Sequence, residues 1–132
     1  MKKLNAEAEE FLKGTHFAKL ATVMKDGRPQ LTPIWYMLEK GKLYVNTAKT
    51  RVKYKNVIRD PRVCFLVDAG YPYVLVFGRA RVATERDANK DIETLAIRYQ
   101  GEAKGRKSAR DVYWKQERVT IEIIPDKVLV SL

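Results

Sequence analysis

At 132 residues the chain has the length of one domain, taken as 1–132, long enough to bury about two-thirds of its unfolded surface. Its 26 Lys+Arg against 16 Asp+Glu give a net charge of +10, which favours an anionic partner without naming one: nucleic acid, an acidic membrane surface and a phosphorylated or carboxylated cofactor answer the same field. No apolar run approaches the ~20 residues of a membrane span, Met1-Lys2-Lys3 leads into Asn5, Glu7, Glu9 and Glu10 instead of a signal-peptide core, and one cysteine excludes an internal disulfide, so a cytoplasmic protein is expected.

Leu4 to Lys13 carries apolar residues at helical spacing, with Asn5 as cap and Gly14 as stop. Phe17 to Met24 alternates as a strand into Lys25-Asp26-Gly27-Arg28, where Asp-Gly signals a hairpin, and Pro29 to Leu38 returns as the second strand. After Glu39-Lys40-Gly41-Lys42, Leu43 to Thr47 makes a third strand, so that a meander is expected. A basic helix runs from about Thr50 to Arg59 and stops at Asp60-Pro61, because the residue before proline is pushed out of the helical region. Arg62 to Asp68 is a continuous apolar strand in which Cys64 acts as a small buried hydrophobe. Tyr73 to Thr84 is a long strand whose Gly78 marks a bulge, a bend or the close approach of another backbone. Asp87 to Tyr99 is helical and closed by Gly101. Glu102 to Arg110 is expected as a mobile loop, followed by a helical turn from Asp111 to Lys115. Val119 to Ile124 alternates as a strand, and Lys127 to Leu132 extends it or pairs as an edge strand after Pro125. About six antiparallel strands and two or three helices imply a small barrel or sandwich with helices at its open ends.

The segment Leu43 to Asn56 carries the chemistry. A strand passes through small polar residues into a basic helix, and the first turn of a helix offers N–H groups without intrahelical partners together with the positive end of the macrodipole. Thr47 and Thr50 add hydroxyls, and Arg51 and Lys53 add charge-assisted donors, each worth about 1.5–3 kcal/mol against a charged group. The segment therefore reads as a phosphate site; the alternative is a solvated basic helix after a strand.

The ordered set Leu20-Ala21-Thr22-Val23, Asp26-Gly27-Arg28-Pro29, Thr32-Pro33-Ile34-Trp35, Val45-Asn46-Thr47, Arg51-Val52-Lys53 with Asn56, and Asp60-Pro61-Arg62-Val63 resembles the flavin-binding split-barrel superfamily. Within it, the chain is most similar to the short pyridoxamine 5′-phosphate oxidase-like proteins that use FMN or the deazaflavin coenzyme F-420. The resemblance covers roughly residues 10–84 and the last strand. It implies a mainly β fold, a six-stranded antiparallel split β-barrel of Greek-key type with two to four peripheral helices. It also implies a homodimer with cofactor sites at the subunit interface and a small-molecule substrate. On it, Arg51 and Lys53 hold the cofactor phosphate with Asn46, Thr47 and Asn56 in support, and Thr32, Pro33, Ile34 and Trp35 line the ring system. Tyr73 and Arg79, with Val74 and Trp114, close the cleft from the other subunit. The vitamin B6 oxidases of the superfamily carry a C-terminal segment with arginine and histidine groups that has no equivalent before Leu132, so pyridoxamine phosphate oxidation is not expected.

One histidine and one cysteine assemble no hydrolytic nucleophile set or zinc site, so the expected activity is hydride transfer between a bound flavin or deazaflavin and a small organic substrate, with no catalytic residue assigned. His16 is assigned a capping or exposed role. A non-catalytic cofactor carrier is the first alternative. A basic nucleic-acid binder stacking bases on Tyr44, Tyr54, Tyr71, Tyr73 and Tyr99 ranks below it, and haem binding, with His16 as sole imidazole, ranks last. Lys49, Lys55 or the Lys104 to Arg110 cluster could meet the carboxylate tail of the deazaflavin; the alternative is a charge excess serving solubility or life at high temperature.

Overall fold

A computed structural model describes residues 4–132; the Met1-Lys2-Lys3 start, used above against a signal peptide, lies outside them. Helix α1 (Ala6–Leu12) is capped by Asn5, whose Oδ1 accepts from the Ala8 N–H at 2.8 Å. Strands β1 (Ala18–Val23) and β2 (Pro29–Ile34) follow, then β3 (Tyr36–Glu39), β4 (Lys42–Ala48), helix α2 (Val52–Arg59), β5 (Arg62–Asp68), β6 (Tyr73–Val82), helices α3 (Ala88–Gln100) and α4 (Glu102–Asp111), a 3-10 turn over Tyr113–Lys115, and β7 (Arg118–Ser131). The fold is mainly β, a split barrel with peripheral helices, built on one antiparallel sheet of order β2-β1-β5-β6-β7-β4-β3.

Four expectations need correction. The sheet has seven strands instead of six, because Pro29 to Leu38 breaks at Trp35 into β2, which pairs with β1, and β3, which pairs with β4. The first three strands are therefore no meander: β2 and β3, one residue apart in sequence, lie at opposite edges of the sheet. Glu102 to Arg110 is helix α4 and not a loop. It presents almost no apolar stripe, burying only Gly105 and Ala109, and Gly105 comes so close to the α3 backbone at Ala96 and Ile97 that a side chain would overlap it. Cys64 on β5 is only partly buried, enough for burial to raise its thiol pKa, and is not among the residues that fill the interior.

β7 is continuous through Pro125, the extended alternative of the two above. Gly78 explains it: the β6–β7 register shifts between Phe77 and Gly78, and a Cβ on Gly78 would overlap the Ile124 carbonyl oxygen. A bulge of this kind is where a strand tolerates a proline without losing a ladder donor.

The barrel interior is filled by Leu20, Tyr36, Val45, Phe65, Val67, Val74, Val76, Ile121 and Ile123, with Ala8 and Leu12 of α1 packed in. A second buried cluster, Met37, Tyr44, Ala83, Ile92 and Leu95, lies where α3 packs on the sheet. Residues alternate between faces along a strand, so β4 is buried on both sides, Leu43 and Val45 in one cluster and Tyr44 in the other. That double burial fixes the end of β4, from which the site is built.

Candidate functional site

A cleft of about 360 Å³ opens where β2, β4, α2, α3 and β7 converge. Its volume falls within the range of small-ligand pockets. The apolar part of its lining is Phe17, Pro33, Ile34 and Trp35 with Ile92, Leu95 and Tyr113; the polar part is Asn46, Thr47, Arg51, Lys53 and Arg118.

The aromatic side is braced from behind. Trp35 stacks on Tyr99 and meets Tyr113 edge-on, with centroids 6.1 Å apart, while Phe17 leans on Tyr99 at 5.3 Å. Tyr99 is anchored by its hydroxyl, which donates to the His16 carbonyl at 2.6 Å. Burial raises the Tyr99 pKa, so the hydroxyl keeps its proton and remains a donor.

The polar side is cationic and unpaired. Among the described residues, Arg51, Lys53 and Arg118 form no ion pair, although thirteen ion pairs occur elsewhere. Burial, with help from Arg51, pulls the Lys53 ammonium below the usual lysine pKa. Burial and Arg51 also pull Arg118 down, against the opposing effect of Tyr113, whose ring lies 5.3 Å from the Arg118 guanidinium carbon. Charges held at such a cost are met by an anion in many binding sites. Arg51 occupies the N-cap of α2 with extended backbone, and no side chain caps the helix, so its first N–H groups stay open beside the same cations.

Seven of the eleven residues singled out in the sequence come together here: Pro33, Ile34, Trp35, Asn46, Thr47, Arg51 and Lys53. Asn46 is committed to the protein, its Nδ2 donating to the Ala88 carbonyl and to Thr120 Oγ1, and its Oδ1 accepting from Arg118 Nε at 2.7 Å. Thr47, buried beside it, makes no side-chain hydrogen bond among the described residues. Thr32 is on β2 but lines no part of the cleft. Asn56 is also outside it: the amide donates to Thr22 Oγ1 at 3.0 Å, tying α2 to β1, and accepts from Arg59. Tyr73 and Arg79 lie on β6, away from the cleft of their own chain, and Arg79 pairs with Asp126 at 3.2 Å. Trp114 donates its indole N–H to the Asn89 carbonyl.

Sequence reasoning missed Phe17, Ile92, Leu95, Tyr113 and Arg118. Only Arg118 had a usable signal, as a cation opening a strand. His16 stacks on Phe11 at 4.4 Å and lines no part of the cleft. Of the tyrosines considered for base stacking, Tyr44 is buried under the Arg86 guanidinium and Tyr54 packs on the interior, whereas Tyr71 is fully open in a turn. Lys49, Arg106, Lys107 and Arg110 are each paired with an acid, while Lys55 and Lys104 make no ion pair among the described residues. No described helix is long and apolar enough to cross a membrane.

A family model described as pyridoxamine 5′-phosphate oxidase matches residues 4–131. Among solved structures, the chain is similar to a conserved hypothetical protein from Mycobacterium tuberculosis, with 27% identity over 96% of this chain and 84% of that one and a TM-score of 0.73. It is also similar to an F-420 reductase, with 26% identity over 92% and 94% of the two chains and a TM-score of 0.71. The heme storage protein HutZ from Vibrio cholerae shares the fold, with 18% identity over 97% and 94% of the chains and a TM-score of 0.70.

Proposed function

The chain belongs to the pyridoxamine 5′-phosphate oxidase family, and from that membership and the cleft we propose that it is an oxidoreductase using FMN or the deazaflavin coenzyme F-420 on a small organic substrate. One observation carries the reading: Arg51, Lys53 and Arg118, all without acid partners among the described residues, surround an open helix N-terminus beside a flat aromatic wall. That donor set fits a phosphorylated, planar group. The likeness to an F-420 reductase is the reason to test the deazaflavin beside FMN.

When bound, either coenzyme supplies a hydride acceptor and donor that the side chains lack. Arg51 and Lys53 neutralise and hold the phosphate, assisted by the first N–H groups of α2. Trp35, braced by Tyr99, and Ile34 flank the ring and exclude water from one side of it. Thr47 Oγ1 is free to orient a polar atom of the ligand.

The functional unit in this reading is a homodimer whose second subunit closes the cleft. Its support is a sheet face with apolar side chains in adjacent rows: Leu31 opposite Ala21, Ala21 opposite Cys64, and Cys64 opposite Phe77, with Leu66 opposite Leu75 and Leu75 opposite Leu129 beside them. Leu31 is 67% exposed and Phe77 41%, which a partner of the same chain would cover.

The test is fluorescence titration of cofactor-stripped protein with FMN and with F-420, followed by a reductase screen with the coenzyme that saturates. Saturation at one per subunit is expected, with affinity lost by two orders of magnitude in the Arg51→Ala/Lys53→Ala double variant. Saturation without turnover of any substrate would favour a carrier. No saturable binding of either coenzyme would overturn the reading.

A further inference from the structure

The two ends of the Asn46 side chain are not interchangeable: the Ala88 carbonyl and, through Thr120, a buried carboxylate together hold its nitrogen away from the cleft. Asp91 in the first turn of α3 is 5% exposed, clasped by Arg86 through bonds of 2.9 and 3.0 Å. Arg86 is held in turn by Glu39 through two more bonds and lies 4.1 Å over the Tyr44 ring. The Asp91 carboxylate accepts the proton of the buried Thr120 hydroxyl at 2.7 Å. A hydroxyl has one proton to give, so Thr120 Oγ1 can only accept from its other neighbour, and Asn46 Nδ2 donates to it at 3.2 Å. The second amide proton goes to the Ala88 carbonyl at 2.9 Å, also on α3. The amide therefore turns its oxygen to Arg118, whose Nε donates to it.

We propose that Asp91 is a positioning residue for the cleft cation Arg118, acting through Thr120 and Asn46, and that Arg118 held in this way is a third group binding the ligand's phosphate. This rests on the anion-binding reading of the cleft given above. Arg118 commits only Nε to Asn46 and its Nη1 to Gln116, which leaves the rest of the fork free to face an anion. Without the Asp91–Thr120 link, Thr120 no longer presents a fixed acceptor to Asn46, and the amide is held by its bond to the Ala88 carbonyl alone. The amide plane then rocks, its oxygen no longer stays in line with Arg118 Nε, and the guanidinium loses its fixed position.

The experiment compares wild type, Thr120→Ser, Thr120→Val, Asp91→Asn and Arg118→Ala by two readouts. One is the Arg118 Nε–H resonance in the ligand-free protein. The other is the preference for a phosphorylated over a phosphate-free ligand, with FMN against riboflavin and F-420 against its phosphate-free chromophore. Thr120→Ser should match wild type. Thr120→Val and Asp91→Asn should lose the slow-exchanging Nε–H signal and, like Arg118→Ala, lower the preference about tenfold while sparing the phosphate-free ligand. Thr120→Val, nearly the same shape as threonine, decides the question if Asp91→Asn fails to fold. A folded Thr120→Val protein with both the signal and the preference intact overturns the relay, and Arg51→Ala losing the preference in the same assay leaves the cleft reading standing. A wild type without any preference, whose Nε–H signal still responds to Thr120→Val, upholds the relay and overturns the anion reading.

Discussion

Trp35 and Tyr99 stack with ring centroids 5.2 Å apart and planes 7° from parallel, joining the single residue between β2 and β3 to the end of α3. The contact locks the crossing from one sheet edge to the other against the helix that covers the second buried cluster. Such a pair contributes about 0.5–1.5 kcal/mol beyond the area it buries. Trp35→Ala should therefore lower the melting temperature by about 5 °C. It should also weaken FMN and riboflavin alike, by about tenfold, because the ring side of the cleft is indifferent to phosphate. Trp35→Phe should keep most of both, and equal ring affinity in Trp35→Ala would remove Trp35 from the site.

Lys53 sets function against stability. Burial and Arg51 hold its pKa below the ordinary lysine value, so the unfolded chain binds the proton more readily than the folded one. Stability then rises with pH through the interval from the folded value up to the unfolded one, and at neutral pH the charge costs the empty protein stability. Lys53→Met should raise the melting temperature without ligand, flatten that alkaline rise, and weaken phosphorylated ligands. A lower melting temperature at neutral pH would mean that the ammonium is better solvated than its surroundings indicate.

The exposed apolar rows predict the assembly. Leu31→Glu with Phe77→Glu places carboxylates on the face that no helix covers, at positions outside the interior. Analytical ultracentrifugation should give a monomer for the double variant and a dimer for the wild type. Coenzyme affinity should fall with dimerisation although neither residue lines the cleft. A wild-type monomer that binds coenzyme fully would remove the second subunit from the site.

Gly78→Ala tests the bulge. The added Cβ has no room against the Ile124 carbonyl, a backbone atom that cannot rotate aside, so a loss of about 3 kcal/mol is expected from urea midpoints. A near-neutral result would show that β7 can slide by a residue past Pro125.

What the sequence made legible was local. The Asp26-Gly27 turn, the stop at Asp60-Pro61, Gly78 and the Arg51/Lys53 pair each depend on neighbours a few residues away, and each stands in the structure where expected. The break at Trp35 was hidden because Ile34 to Leu38 is one continuous apolar run; only the choice of partners, β1 for one half and β4 for the other, divides the strand. Helix α4 escaped because its apolar contact is reduced to Gly105 and Ala109, while its exposed side is held by pairs such as Lys107 with Asp111. Asn56 was misassigned for a related reason. It shares a helix with Lys53, yet one turn further along its amide meets Thr22 instead of the cleft. Arg118 could not be placed at all, since 72 positions separate it from the Asn46 oxygen that holds it.

That separation sets an order of events. The β4–β7 ladder closes the longest loop in the sheet, pairing Leu43 with Ile123, and contacts so distant along the chain form late. The helix-end cations Arg51 and Lys53 are therefore synthesised well before the strand that brings Arg118, whereas the aromatic wall, which needs Tyr99 and Tyr113, is completed just ahead of it. On the proposed reading, the polar side of the cleft lacks one of its three cations until β7 is seated against β4, so ligand loading would report that the barrel has closed.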